Sequence, residues 1–346
     1  MSLADAFRNQ AQSCARLDSP FMQRLLTFLA TDWPTDSALA RKLASFTGNI
    51  GPSGHSLPLR VAGGLHALVL SGRSPALAAC YPPRAANDTA LRDAVLAALS
   101  EHEAFLLDWV DSPPQTNEVR RSAALIAGAR AACQHFDLPV MLSELGASGG
   151  LNLMWDHFAL AIGDTTFGPA DPALTLSPDW TGPLPPATTP RIASRAGVDL
   201  NPLNPRKTDD LLRLTAYLWA DQPERLARTR AAAAVFDAQI TRGDAIDWLD
   251  HRLTAQPEGQ MHLIQHTVAW QYFPAAAQAR GTALIEAAGA NATPTRPLAW
   301  LSMETDGDVT GAVGAALTLR LWPGDLRLTL GRADFHGRWV NWTGPT

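Results

Sequence analysis

The sequence predicts an α/β fold: a helical N-terminal region, then a doubly wound, mainly parallel sheet ending in an antiparallel hairpin. Three observations predict it. Residues 1–136 place apolar side chains at helical spacing. From Leu138 onward, short apolar runs of strand length alternate with amphipathic stretches, the pattern of strands joined by helical crossovers. Near the C-terminus, runs 316–321 and 326–330 flank Trp322-Pro323-Gly324-Asp325, a good hairpin turn. The expected division is a helical region over 1–136 and a sheet domain over 137–346.

Each element has a local reason. Ala4 to Leu17 repeats apolar residues at helical spacing, and Ser19-Pro20 opens a second helix reaching about Leu29. Asp36–Phe46, Leu57–Leu70 and Asp88–Val110 are further helices. Ser112-Pro113-Pro114-Gln115 has the spacing of a capping box and is expected to open a helix ending near His135. Val140–Leu145 is the first strand. Phe158–Phe167 fits a hairpin around Gly163-Asp164. Residues 168–190 contain seven prolines and read as a loop or insertion. Strands follow at Ile192–Leu200, Ile240–Thr241, Met261–Val268 and Pro297–Met303, with helices at Thr208–Trp219, Pro223–Ala238, Asp247–Leu253 and Pro274–Ala288 between them. Val340–Trp342 adds an edge strand.

Composition narrows the function. The 346 residues are 46% hydrophobic and 18% charged, a globular balance, with a net charge of −5. No basic run marks a nucleic-acid or anionic-membrane partner, and no apolar stretch approaches the length of a membrane span. Cys14, Cys80 and Cys133 are far apart, without zinc-type or disulfide-framework spacing. The N-terminus has no signal-peptide core, so the expectation is a cytoplasmic protein acting on a small molecule, without a metal. The sequence carries no signal for an oligomeric state.

Leu138 to Leu153 carries the chemistry. A strand runs into Glu144, then a glycine-rich turn, then an apolar stretch able to start a helix. That order is expected to leave backbone N–H groups open to a ligand at the strand's carboxyl end. Two chemistries fit the letters. Glu144-x-Gly146-x-Ser148-x-Gly150 resembles the acidic, glycine-rich loop of class I, Rossmann-like S-adenosylmethionine-dependent methyltransferases. Gly146-x-Ser148-x-Gly150 alone has the letters of the nucleophile elbow of α/β-hydrolases.

The methyltransferase resemblance extends over roughly residues 138–335. It implies that Glu144, Gly146, Ser148 and Gly150 surround the cofactor's amino-acid part. Asp199, in Gly197-Val198-Asp199-Leu200, would bind the ribose hydroxyls, and Asp244, in Gly243-Asp244-Ala245, would read the adenine. The fourth strand would deliver Gln265-His266-Thr267, with His266 the candidate general base. Ser148 stands where the usual loop has a glycine. The 55 residues from Glu144 to Asp199 exceed the ~20 of the analogous dinucleotide fold, and the proline-rich insertion absorbs the excess. Gln115, Asn117, Glu118 and His336 are candidates for binding the acceptor. The whole chain also resembles an uncharacterised bacterial family of unknown function. That resemblance is carried by Gln115-Thr116-Asn117-Glu118, Glu144 to Asn152, Arg195 to Pro202 and His336-Gly337-Arg338. The family often has a histidine where this chain has Asp334.

In the hydrolase alternative Ser148 is the nucleophile, Glu304 or Asp306 the acid and His336 the base. The order is right, but the region before the elbow is helical and no HGGG-type oxyanion loop precedes it. A third reading is a Rossmann-like domain that binds a ligand without turnover. Each residue also has a structural role to weigh against these. The glycines can serve tight packing, Asp199 a turn, Asp244 a helix N-cap, and His66 and His266 core hydrogen bonds. Gln115, Asn117 and Glu118 can be cap residues, and His336 and Arg338 surface groups on an edge strand.

Overall fold

A computed structural model describes residues 1–52, 54–307 and 313–346. The helices in chain order are α1 (Leu3–Arg16), α2 (Pro20–Thr31), α3 (Ala38–Ala44), α4 (Leu57–Leu70), α5 (Pro75–Ala78) and α6 (Asp88–Glu101). They continue with α7 (Glu103–Trp109), α8 (Ser122–His135), α9 (Thr208–Ala216), α10 (Pro223–Ala234), α11 (Ala245–Leu253) and α12 (Ala275–Ala290). The chain forms two compact units, one of residues 1–116 and 207–230, the other of 117–206 and 231–346.

The first unit is helical. Ser2 caps α1 by accepting the Asp5 N–H, Asn87 caps α6 by accepting that of Ala90, and prolines stand in the first turns of α2, α4 and α5. α4 is apolar nearly all round and is buried from Leu57 through Leu68 apart from Leu59, so neighbours must cover every face. α9 supplies one of them: His66 Nδ1 lies 3.2 Å from the Ala216 carbonyl. The expected 88–110 helix is two, broken at His102. The helix expected to open at Ser112 opens at Ser122 instead. Residues 112–118 are not helical, and Glu118 caps a short 3-10 turn, Val119–Arg121, through the Arg120 N–H.

The second unit is built on a nine-stranded sheet. Its strands are β1 (Val140–Leu145), β5 (Asp179–Thr181), β6 (Ile192–Asp199), β7 (Gln239–Arg242), β8 (Met261–Thr267), β9 (Leu298–Glu304), β10 (Ala315–Trp322), β11 (Leu326–Ala333) and β12 (Trp339–Trp342). Three others, β2 (Phe158–Ile162), β3 (Thr165–Phe167) and β4 (Leu174–Leu176), make a separate small sheet. The large sheet runs β5-β12-β11-β10-β9-β8-β1-β6-β7. From β7 to β9 every pairing is parallel; β9 to β12 is an antiparallel meander. The insertion expected as a loop contributes β4 and β5, and β5 covers the β12 edge by parallel pairing.

Side-chain alternation divides the core between the two sheet faces. Val140, Leu142, Met261, Leu263, Ala299, Leu301 and Met303 pack in one cluster with α8 and the small sheet. Leu145, Val198, Ile264 and Leu298 pack in another with Leu249 of α11 and Ile285 of α12. α8, on the N-terminal side of the expected 136/137 boundary, thus lies against β9 and β10 in the sheet unit. Among the described residues no helix is long and apolar enough to cross a membrane.

Candidate functional site

The parallel strands spread in both directions from β1, with β6 and β7 on one side and β8 and β9 on the other. β1 and β8 therefore flank the point where strand order reverses. In open α/β sheets ligands bind outside the carboxyl ends of the strands at this point. The period-2 pattern puts Glu144 there, paired in register with Gln265 of β8 and Gly197 of β6. Glu144 is 2% exposed, and its Oε2 is buried without a hydrogen-bond partner. Burial pushes its carboxyl up to about 8, a rise that the Arg121 charge and a hydrogen bond from Gln265 only partly offset. A carboxyl held this high is mostly protonated at pH 7 even with the Arg121 charge acting on it.

The glycine-rich turn differs from expectation in what its backbone does. The N–H groups of Gly146 and Ala147 donate to the Val198 carbonyl, and that of Gly150 to Ala147. Ser148 N–H donates to Asp199 Oδ2 and Leu151 N–H to Asn117 Oδ1, both at 2.8 Å. These donors are engaged within the fold, whereas the Glu144 carboxyl at this strand end keeps an oxygen without a partner. Gly146 and Gly150 have left-handed backbones with φ near +70°, and a Cβ on either would meet Ala269 or Ile240 at about 2.5 Å. Ser148 is left-handed too, at φ +53°, which explains why a glycine suits that position. Its buried Oγ has no hydrogen-bond partner. A 3-10 turn, Leu151–His157, takes the place of the expected helix.

Several polar side chains, buried or half-buried, fix this turn. Gln265 accepts from Trp155 Nε1 at 3.0 Å and donates to the Asn152 carbonyl at 3.2 Å. Arg195 makes a two-point pair with Asp156 at 2.6 and 2.9 Å and also donates to the Leu153 carbonyl. Asp199 receives the Ser148 N–H on one oxygen and the Asn201 N–H on the other. Each oxygen keeps a second lone-pair direction.

Arg121 ties three segments together. It donates from Nε to the Phe335 carbonyl at 2.8 Å and from Nη1 to the Thr267 carbonyl at 3.2 Å, and its charge acts on Glu144. Asn117 and Glu118, both buried, belong to the same segment, and His336 stands one residue beyond Phe335. Gln115 lies in the first compact unit.

His266 points to the opposite sheet face from Glu144, because it is one residue out of step with Gln265. Its Nε2 accepts from Trp300 Nε1 at 2.8 Å. An indole nitrogen can only donate, so the ring proton sits on Nδ1, 2.8 Å from Glu304 Oε1. Both ring nitrogens are engaged, and the ring stacks on Trp270 at 5.0 Å. Glu304 also accepts the N–H groups of Ala269, Trp270 and Gln271. These bonds outweigh burial and hold its carboxyl below the usual range. They fasten the turn after β8, where Val268 has φ +51°, a strained value for a β-branched residue. This is a structural assembly; it does not leave His266 as a ready base. Asp244 is the N-cap of α11, accepting from Ile246 and Asp247 on Oδ1 alone.

The hydrolase constellation is not assembled. Ser148 Oγ bonds to no histidine, Glu304 is bonded to His266, and Asp306 pairs with Arg332. Sequence reasoning missed Arg121, Arg195 and the clamping role of Glu304. Arg195, two residues before Gly197 in a strand with alternating faces, was the most readable of the three. Arg121 gave no signal, since its partners are carbonyls distant in the chain.

The family described as "Uncharacterized protein conserved in bacteria (DUF2332)" matches residues 4–342, and the chain belongs to it. No curated protein matches the chain.

Proposed function

We propose that the sheet unit binds S-adenosylmethionine at the carboxyl ends of β1, β6 and β7 and methylates a small-molecule acceptor. The observation that carries this reading is Glu144: a buried carboxyl with an unpartnered oxygen at the strand-order reversal, beside an arginine. A zwitterionic amino-acid group suits that pair, its ammonium toward Glu144 and its carboxylate toward Arg121. Asp199, at the end of the neighbouring strand, would take the ribose hydroxyls on its remaining lone pairs. Asp244 would contact the adenine through the oxygen outside its cap. Gly146, Ser148 and Gly150 would shape the turn around the cofactor. When bound, the cofactor supplies a methyl group already activated by its sulfonium. The protein's own part is to hold, orient and receive a proton. A net charge of −5 fits a small acceptor better than a nucleic acid.

Calorimetric titration with S-adenosylmethionine and S-adenosylhomocysteine tests the reading. Micromolar binding that Glu144→Gln weakens at least tenfold, with the variant folded by circular dichroism, is expected. No binding to folded wild-type protein would overturn it.

One observation favours a serine hydrolase instead: the left-handed Ser148 with its buried, unpartnered hydroxyl. Fluorophosphonate labelling that Ser148→Ala abolishes would support that alternative. Cofactor binding with no transfer to any acceptor would support a non-catalytic binding protein.

A further inference from the structure

Arg130 carries a charge that the proposed site does not use. Among the described residues three arginines are more than nine-tenths buried: Arg60, Arg121 and Arg130. Arg60 donates to three carbonyls and Arg121 to two. Arg130, 5% exposed in the second half of α8, donates once, from Nε to the Pro186 carbonyl at 2.7 Å. Its Nη1 and Nη2 have no acceptor among the described residues, and neither is sealed from solvent. No carboxylate charge acts on it. Burial pulls the guanidinium below its usual pKa, and the titratable group that opposes this is the Cys133 thiol. A guanidinium stays charged at any ordinary pH, so its removal from water costs free energy until an anion answers it.

The side chain is also held in place. Its Cζ lies 4.4 Å from the centre of the Phe167 ring, a cation–π contact. Thr188 Oγ1 donates to the Arg130 backbone carbonyl at 2.7 Å, and Pro185 and Pro186 are buried. The 186–188 stretch of the proline-rich insertion is therefore clamped to α8. With Nε spent on Pro186 and one face covered by Phe167, the open part of the guanidinium is its Nη fork, whose spacing matches two oxygens of one oxyanion. The place is at the other end of the strands from Glu144. α8 leads into the amino end of β1, and the 186–188 stretch into that of β6, whereas Glu144 stands at a carboxyl end.

We infer that Arg130 is the centre of a second binding site in the sheet unit, an oxyanion site between α8, β3 and the proline-rich insertion, and that its ligand is a small carboxylic acid. The carboxylate takes two charge-assisted hydrogen bonds from the Nη fork. A single positive charge beside Phe167 and Pro186 matches a monovalent carboxylate better than a doubly charged phosphate. The site is independent of the methyltransferase reading, since it shares no residue with the Glu144 end of the sheet.

Nuclear magnetic resonance of the full chain, uniformly labelled with ¹⁵N, tests this. The Arg130 Nε–H signal is assigned by its loss in Arg130→Lys, and the backbone amides of Ala187 and Thr188 report in the variants. The probes are sodium acetate and sodium phosphate at pH 7, with sodium chloride holding the ionic strength constant. Acetate should shift the Arg130 and Thr188 signals saturably, with a dissociation constant in the millimolar range set by two charge-assisted hydrogen bonds. Arg130→Lys keeps the charge but loses the fork, and should bind acetate at least fivefold more weakly. Arg130→Met should show no saturable shift. Its melting temperature should not respond to acetate, whereas that of wild type rises. If Arg130→Met does not fold, the comparison of wild type with Arg130→Lys decides. Shifts that grow linearly with salt, that chloride alone reproduces, or that persist unchanged in Arg130→Lys would overturn the site. Saturable binding of phosphate more tightly than acetate at the Arg130 signal would overturn the carboxylate assignment.

Discussion

Binding of a cationic ligand at Glu144 must release a proton, and the size of the effect follows from the fold. The carboxyl is held at about 8, so its ionised fraction is about 1% at pH 6 and about 9% at pH 7. A ligand whose ammonium requires the ionised form works against that equilibrium. Its dissociation constant should fall about ninefold between pH 6 and pH 7, roughly 1.3 kcal/mol. The ligand's own α-ammonium stays largely protonated over this interval, so the slope belongs to the protein. Calorimetry with S-adenosylhomocysteine at pH 7 in phosphate and in Tris should show different heats, corresponding to about 0.9 proton released per ligand. Glu144→Gln should bind more weakly, with affinity independent of pH and heat independent of buffer. A companion effect appears without ligand. A carboxyl raised in the fold contributes its stability below its unfolded pKa and loses it as pH rises through the folded value. Ligand-free Glu144→Gln should therefore melt above wild type, by a margin that grows from about pH 5 to pH 8. A flat affinity profile for wild type, with no buffer dependence, would refute the argument.

Other expectations concern the supports of the site. Glu304→Gln should destabilise the protein at pH 7 by about 2 kcal/mol, since a buried carboxylate accepting four donors loses its charge. Because that carboxyl is held low, its contribution is present at neutral pH and disappears as pH falls through its folded value. Urea unfolding should show the two proteins converging in acid. Arg195→Leu leaves Asp156 without its partner and frees the Leu153 carbonyl, and a loss of about 2 kcal/mol is expected by urea unfolding. Gly150→Ala imposes a left-handed backbone on a residue with a side chain and presses its Cβ to 2.6 Å from Ile240. The expected cost is about 2 kcal/mol, read as a lower melting temperature.

Much of the fold was legible because its signals are local. β1 and the 158–167 hairpin have the ends the sequence predicts, and α4 spans the expected residues. Where the expectation failed, a non-local partner decided. Ser112-Pro113-Pro114-Gln115 has capping letters, but helix begins only once Glu118 has capped the 3-10 turn at Val119. The 168–190 stretch looks like a loop until β12 offers Asp179–Thr181 an edge to pair with. The place of Glu144 at the end of β1 was readable because a strand-end acid before a glycine-rich turn is a sequence pattern. His266, next to Gln265 in its strand, faces away from Glu144. The occupation of the loop's N–H groups by Val198, Asp199 and Asn117 depends on contacts between distant residues, and no local rule reveals it.

The helical unit is discontinuous: residues 207–230 return to it from between β6 and β7. During synthesis the first 116 residues leave the ribosome 91 residues before that returning segment begins. At 5–20 residues per second the interval is roughly 5–18 s. Throughout it, the sides of α4 that Ala216 and Tyr217 later cover stay exposed to solvent or to a chaperone. The helical unit therefore cannot finish folding until part of the sheet unit has been made. A fragment cut at residue 116 or 136 would lack a wall of its own core, whereas joining 1–116 to 207–230 by a short flexible linker would restore it.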